Sequence, residues 1–266
     1  MMAQLNINQK IGVGLLLGLL LVASGIVQWS PYHIADQDLS GRLLAPSAEH
    51  WLGTDHFGRD MLTRIASAIQ LSFVLSFFCV LTAATLGVSL GVITAWKGGR
   101  LAQGMDVIVN VLLALPGLVL VLLFAAIVPG SLLVLYLAIT LTQWIEYFRV
   151  SRAITHTIIN SPARQLSEMM GFGPWYQFRR HIWPELTHSI LTLASFGGAN
   201  AILTMASLGF VYVGIQPPLA ELGLMSVELF PYYAQAPWIL VQPLIAIATL
   251  VFGFHLLAGN KHDSAH

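Results

Sequence analysis

The stretch Ile65–Trp96, IASAIQLSFVLSFFCVLTAATLGVSLGVITAW, contains no Asp, Glu, Lys or Arg. A bilayer core of about 30 Å is crossed by roughly 20 apolar residues in a helix, so this run has room for one long spanning helix. The rest of the chain supplies too little charge to carry such a segment in water. Of 266 residues, 56% are hydrophobic and only 9% charged, against about a quarter charged in a soluble domain. Most of the chain must face lipid.

Outward from that run, Ile11–Trp29 is a second charge-free stretch. It exceeds a signal-peptide core, and GIVQW at Gly25–Trp29 offers no small-x-small cleavage site, so it reads as an uncleaved span. Val107–Ile145 is too long for one helix. Pro129-Gly130 divides it into a hairpin, whose second arm runs on through Glu146 toward Arg149, while Pro116-Gly117 is a candidate kink in the first arm. Leu186–Ala220 and Leu229–Asn260 complete six expected spans in an all-α integral membrane protein. With the N-terminus inside, Lys10, Lys97, Arg100, Arg149, Arg152, Arg164, Arg179, Arg180 and Lys261 are cytoplasmic, and only Arg42, Arg59 and Arg64 lie outside. That distribution satisfies the positive-inside rule and places both termini in the cytoplasm. The chain divides into an N-terminal span with its extracytoplasmic segment (1–64), a membrane domain (65–258) with a cytoplasmic loop at 150–185, and a tail (259–266).

Several classes are excluded. Lys+Arg and Asp+Glu both number 12, and a net charge of zero argues against a nucleic-acid partner. One cysteine, Cys79, allows no disulfide framework and reads as inert core. No Gly-x-x-x-x-Gly-Lys-[Ser/Thr] loop, His-Glu-x-x-His or Gly-x-Ser-x-Gly occurs, so ATP is not bound in the P-loop manner and the zinc-protease and nucleophile-elbow motifs are missing. The span centres contain almost none of the ionisable residues of a proton or ion relay, and Asp106 and Glu146 sit near span ends. No catalytic, cofactor-binding or metal-binding residue is assigned, the chain reads as a non-enzyme, and any energy source lies in another subunit.

The loop Val150–Glu185 is long for a membrane protein, which marks it as functional. Pro162 and Pro184 bracket two short helices meeting near Gly171-Phe172-Gly173-Pro174. Trp175, Tyr176, Phe178 and Trp183 are more aromatics than a solvated loop needs. They suit either a cytoplasmic partner or a helix lying on lipid headgroups.

Two motifs carry a resemblance. WLGTDHFGRDMLTR at Trp51–Arg64 resembles the Leu-Gly-Thr-Asp-x-x-Gly-Arg-Asp segment of the second permease subunit of peptide and nickel ABC importers. QLSEMMGFGPWYQFRRHIWP at Gln165–Pro184 resembles a degenerate importer signature, Glu-Ala-Ala, three residues, Gly, nine residues, Ile-x-Leu-Pro. Gln165, Leu166 and Ser167 replace Glu-Ala-Ala, Gly171 matches, His181 and Trp183 replace Ile and Leu, and Pro184 matches. Gln216-Pro217-Pro218, Glu221, Gly223, Met225 and Ala236-Pro237-Trp238 extend the similarity, which runs from about Ser40 to Phe254.

The resemblance implies a type I ABC importer permease fold in a bacterial inner membrane. It implies a second permease subunit, two ATP-binding subunits and an extracytoplasmic solute-binding protein as partners. The ATPase-coupling loop would comprise Gln165, Leu166, Ser167, Glu168, Gly171, Gly173, Arg179 and Pro184. Gly171 would free the backbone for a turn, and Pro184 would fix where the next membrane helix starts. Gln165 keeps hydrogen-bonding capacity without charge, leaving Glu168 or Arg179 to take the electrostatic role. The extracytoplasmic motif comprises Gly53, Thr54, Asp55, Gly58, Arg59 and Asp60, and Glu221 on the outer loop is expected to meet the binding protein.

Nine histidines accompany 12 acidic residues, with His33, His50 and His56 outside, His255 in the sixth span, and His262 and His266 in the tail. Imidazole is the commonest protein ligand for nickel, zinc or copper. With the short length and the WLGTDHFGRD segment, this looks most like nickel-type permeases. Nickel or a metal–metallophore complex is therefore expected ahead of di- or oligopeptides. The tail HLLAGNKHDSAH lacks the Gly-Asp-x-Leu-Arg-Asp run common in such relatives. An autonomous channel or secondary transporter is the alternative from another class.

Overall fold

The computed structural model describes residues 6–258. Residues 259–266, with the expectations attached to Lys261, His262, His266 and the end of the sixth run at Asn260, lie outside the described residues. Ten α-helices follow in order: α1 (Ile7–Trp29), α2 (Met61–Lys97), α3 (Gly99–Leu113), α4 (Gly117–Ile127), α5 (Leu132–Ile159), α6 (Pro162–Met169), α7 (Pro174–Gln177), α8 (Trp183–Phe210), α9 (Leu222–Leu229) and α10 (Pro237–Ala258). No strand forms among the described residues, only an isolated bridge between Thr54 and Asp60.

Four described helices are long and apolar enough to cross a membrane: α1, α2, the continuous helix Pro174–Phe210, and α10. The pair α3–α4, bent by 80° at its break, is long and apolar enough for a fifth if the two are taken as one span. The bend falls where Pro116-Gly117 suggested it. Pro116 disfavours a helical conformation at Leu115 and itself sits at φ −56°, ψ 131°. The hairpin expected at Pro129-Gly130 is also present, α4 ending at Ile127 and α5 starting at Leu132 behind a Ser131 cap. At 28 residues, α5 is long enough for a sixth crossing, although Glu146, Arg149 and Arg152 lie in its second half.

Three boundaries differ from the expected ones. The charge-free run Leu186–Ala220 is not one helix, because the chain leaves α8 at Phe210. There the Leu208 carbonyl accepts the amides of both Val213 and Gly214 at 3.1 Å, which closes the helix end. The last membrane helix starts at Pro237 rather than Leu229. Residues Phe230–Tyr232 form a separate 3₁₀ turn, and Pro237 suits a first helical position, where no N–H is needed. Pro184 stands in the first turn of α8, as expected, but α8 is not a fresh start. It lies within a helix that begins at Pro174, immediately after a π-helical turn at Phe178–Ile182. A proline inside an α-helix removes one hydrogen bond and clashes with the carbonyl four residues back, and the wider turn makes room for both.

Close packing joins α2 and α5. A β-carbon on Gly87 would lie 2.5 Å from the Trp144 carbonyl oxygen and 2.8 Å from the Phe148 nitrogen. One turn on, Ser151 Oγ donates to the Tyr147 carbonyl at 2.6 Å and is the nearest neighbour of Gly91. Small residues at such contacts let backbones approach where no hydrophobic drive separates helix from lipid. Gln70 on α2 donates to Ser24 on α1 at 3.0 Å, and Phe254 of α10 fits against Gly198 of α8. Fully buried Met61, Ile202, Met205, Leu222 and Met225 fill the centre.

Candidate functional sites

The extracytoplasmic motif folds into a compact corner before α2. Met61 N–H donates to the Gly53 carbonyl at 3.1 Å, and the amide of Asp55 donates to the Arg59 carbonyl at 3.0 Å. Gly58 sits at φ +76°, and a β-carbon there would collide with the Asp38 backbone, so only glycine fits. Thr54 Oγ1 accepts from Leu44 N–H at 2.9 Å. Asp60 caps α2, accepting from Thr63 N–H at 2.8 Å and bonding His50 Nδ1 at 3.0 Å.

Asp55 is the centre of this corner and is fully buried. Its Oδ1 accepts the amides of Phe57 and Arg59 at 2.8 and 2.9 Å. Its Oδ2 accepts Arg59 Nε at 2.6 Å and an Arg64 guanidinium nitrogen. Both guanidinium groups also reach Glu228 at the end of α9, at 3.6 and 3.3 Å. Burial alone would raise the Asp55 pKa, but Arg64 and Arg59 outweigh it and hold the carboxyl below its usual range. The motif residues are thus brought together and, apart from the turn glycine pair, their side chains are sealed inside. Arg64 and Glu228 complete the network and lay outside the predicted set. The one signal for Glu228 was an acid standing alone in a long apolar region.

Glu221 is not the exposed outer-loop residue expected from sequence. Only 2% exposed, it caps α9, accepting the amides of Gly223 and Leu224 at 2.8 and 2.7 Å. Burial pushes its carboxyl up to about 7 against the opposing pull of those two amides. His50 and His56 are likewise engaged. His56 stacks on Tyr232 with centroids 5.1 Å apart, and burial lowers its pKa. Among the described residues no group of three His, Cys, Asp or Glu side chains could hold a metal ion.

The second site is the knob formed by α6 and α7. Ser161 and Pro162 open α6, and Gly171 closes it at φ +84°. Gly171 N–H donates to the Glu168 carbonyl at 2.9 Å and Phe172 N–H to that of Ser167 at 3.1 Å, the paired bonds of a Schellman cap. Gly173 then precedes Pro174 in extended backbone. The expected meeting of two helices at residues 171–174 is therefore present, but only α6 is short, since the second runs on from Pro174 to Phe210. Gln177, 3% exposed, pins the two halves: its Oε1 accepts Arg164 Nε at 2.9 Å and its Nε2 donates to the Phe172 carbonyl at 2.9 Å. Ser167 Oγ bonds His181 Nε2 at 2.8 Å, and Glu168 pairs with Arg164 at 3.0 Å.

Of the predicted coupling residues, Gln165, Leu166 and Glu168 are exposed on α6, and Arg179 is exposed on the π turn without an ion pair among the described residues. Pro184 lies inside the continuous helix. Gln177 and Arg164 were missed, although they do the joining. A single Gln among aromatics gives no periodic signal.

Residues 87–260 match the family described as binding-protein-dependent transport system inner membrane component. The dipeptide transport system permease protein DppC of Alkalihalophilus pseudofirmus is 31% identical over 263 residues, 98% of this chain and 86% of its own length. The oligopeptide transport system permease protein OppC of Bacillus subtilis is 29% identical, covering 99% of this chain and 87% of its own. The nickel transport system permease protein NikC of Escherichia coli is 29% identical, covering 92% and 88%. With an all-helical membrane fold and no catalytic constellation assigned, this chain belongs to the binding-protein-dependent transport system inner membrane component family, as a permease subunit of an ABC importer of the peptide and nickel group.

Proposed function

We propose that the chain forms half of a solute pathway with a second permease subunit and is driven by two ATP-binding subunits seated on the α6–α7 knob. An extracytoplasmic solute-binding protein delivers the solute to the opposite face. The knob carries this reading. Leu166, Met169, Met170 and Trp175 stand 60%, 84%, 68% and 71% exposed around a pinned glycine turn. An apolar patch on a rigid turn suits a docking partner. The lysine and arginine distribution makes the knob side cytoplasmic, with α3–α4 as one broken span and α5 as the sixth.

The solute belongs to the peptide and nickel group. Dipeptide, oligopeptide and nickel permeases match the chain at 29–31% identity, so the lead given to nickel by the histidines gains nothing from them. His50 and His56 already serve the fold, which favours di- or oligopeptides, with nickel or a metallophore complex as the second reading.

Tagged chain solubilised from membranes should retain nucleotide-hydrolysing subunits, and Leu166→Asp with Met170→Asp should release them. Transport by the chain alone in liposomes, as an autonomous channel or secondary transporter would show, overturns the proposal. Uptake of labelled dipeptide and of radioactive nickel in a strain lacking the chain then separates the two solutes.

A further inference from the structure

Between α3 and α5 lies a cavity of about 570 Å³ whose lining includes Val109, Leu113, Phe148, Arg149 and His156. Its place along the bundle follows from contacts between helices. The charge-free run of α1 ends at Lys10 on one face, and at 1.5 Å per residue it spans about 28 Å. A β-carbon on Gly12 would lie 3.0 Å from the Leu257 nitrogen, so the end of α10 shares that face. Phe254, one turn before, meets Gly198, and neighbouring Gly197 faces Tyr147 of α5. The Tyr147 hydroxyl therefore lies in the half of the bundle that ends at Lys10 and Leu257. Arg149, Arg152 and His156 follow it along α5, away from the charge-free first half of that helix.

The lining is sorted along the same direction. Val109 packs in the cluster of Trp144, Tyr147 and Phe148 with Leu112 beside it, so the apolar wall points into the membrane. Asp106 and Arg152 pair bidentately at the other end and bridge α3 to α5. Asp106 thereby neutralises Arg152. Arg149 has no ion-pair partner among the described residues. Glu146, one turn deeper, lines the adjoining groove with Arg149. Next to the bridge are His156, Thr157 and Asn110, which supply donors and no further negative charge.

From this arrangement we infer that the α3–α5 cavity is a binding site for an anionic phospholipid, its phosphate on Arg149 and His156 and an acyl chain along Leu113 and Phe148. A water-soluble anion would leave the apolar half unfilled, whereas a phospholipid matches the charge and the polarity order together. The occupant would join α3 to α5 beside the Asp106–Arg152 ion pair and the packing of Val109. The inference needs only a membrane-embedded chain and stands whichever solute is carried.

The test uses the full chain with its copurifying subunits, delipidated and then offered phosphatidylglycerol or phosphatidylcholine with identical acyl chains. Native mass spectrometry reads the retained lipid. Phosphatidylglycerol should be preferred, and Arg149→Gln with His156→Gln should cut that preference about fivefold or more, following the usual gain per cation at an anionic surface. Arg149→Lys, which keeps the charge, should retain most of it, and Arg42→Gln, on the other face, should change nothing. Equal retention of the two lipids, or an unchanged preference in the double variant, overturns the proposal. So does displacement of the lipid by inorganic phosphate, or capture of a protein subunit instead of lipid by a photocrosslinker at Asn110.

Discussion

Arg64 donates through Nη2 to Glu228 Oε2 at 3.3 Å, joining the first turn of α2 to the last turn of α9. The two residues stand 164 positions apart. Asp55 bonds the same arginine from the other side, so the outer corner, α2 and α9 are held by one buried set of charges. Removing one partner from such a set is far costlier than the set is worth, because it leaves the others buried without compensation.

Asp55→Asn should therefore destabilise the protein by about 3–5 kcal/mol. Thermal unfolding in detergent, followed by Trp fluorescence, should show a large fall in midpoint. A midpoint close to wild type would remove Asp55 from its central place in the corner.

Glu221 gives a pH dependence with a definite sign. Its carboxyl titrates at about 7 in the fold against 4.5 as the ordinary value. Between those two pH values the folded chain holds a proton that the unfolded chain has released. Its contribution is complete below pH 4.5 and is lost as pH rises through about 7. The loss amounts to about 3 kcal/mol at most. Unfolding midpoints measured across that window should fall for wild type relative to Glu221→Gln. Parallel curves for the two proteins would show that Glu221 does not titrate there.

Gly87→Val should force α2 and α5 apart, since the obstacle is the Trp144 backbone rather than a side chain that could turn away. Overpacking of this kind costs about 1–3 kcal/mol. Membrane abundance and unfolding temperature should both drop, and unchanged values would mean that the interface yields freely.

Gly171→Val meets open space but a left-handed backbone, which a β-branched residue adopts at a cost of about 1–2 kcal/mol. The knob should lose its cap while the buried membrane core stays intact. Expected is normal membrane insertion with ATP hydrolysis uncoupled from uptake in vesicles. Wild-type transport by this variant would count against coupling through the knob.

Much of this architecture could be read from local signals. Charge-free runs located α1 and α2, because excluding charge from lipid is a strong demand on every residue. Pro116 and Pro129-Gly130 marked the bend and the hairpin through their fixed backbone limits. Local signals failed where the cause was distant. The end of α8 at Phe210 depends on carbonyls closing a loop, and no residue type announces it. Pro184 did mark the first turn of α8, but the wide turn joining α8 to the helix before it could not be read from the proline. In the outer corner, Asp55, Arg59 and Asp60 were visible as a motif. Their burial, and the joining of Arg59 to Glu228, required the fold to bring α9 beside α2. Glu221 looked exposed because it sits in a loop, yet it is sealed beneath Gly209.

The unbroken run from Pro174 to Phe210 holds 37 residues, about 55 Å of helix. One end carries the exposed Trp175, and near the other Gly209 abuts the Glu221 carboxylate, which leads into α9 and its bonds to Arg64. If ATP-binding subunits press on the knob as proposed, this segment would serve as a pushrod, carrying thrust from Trp175 to Phe210 as movement of one body through the π-helical turn at Phe178–Ile182. Spin labels at Tyr176 and Phe210 should keep one separation throughout the nucleotide cycle, and a change in that distance would show that the rod flexes.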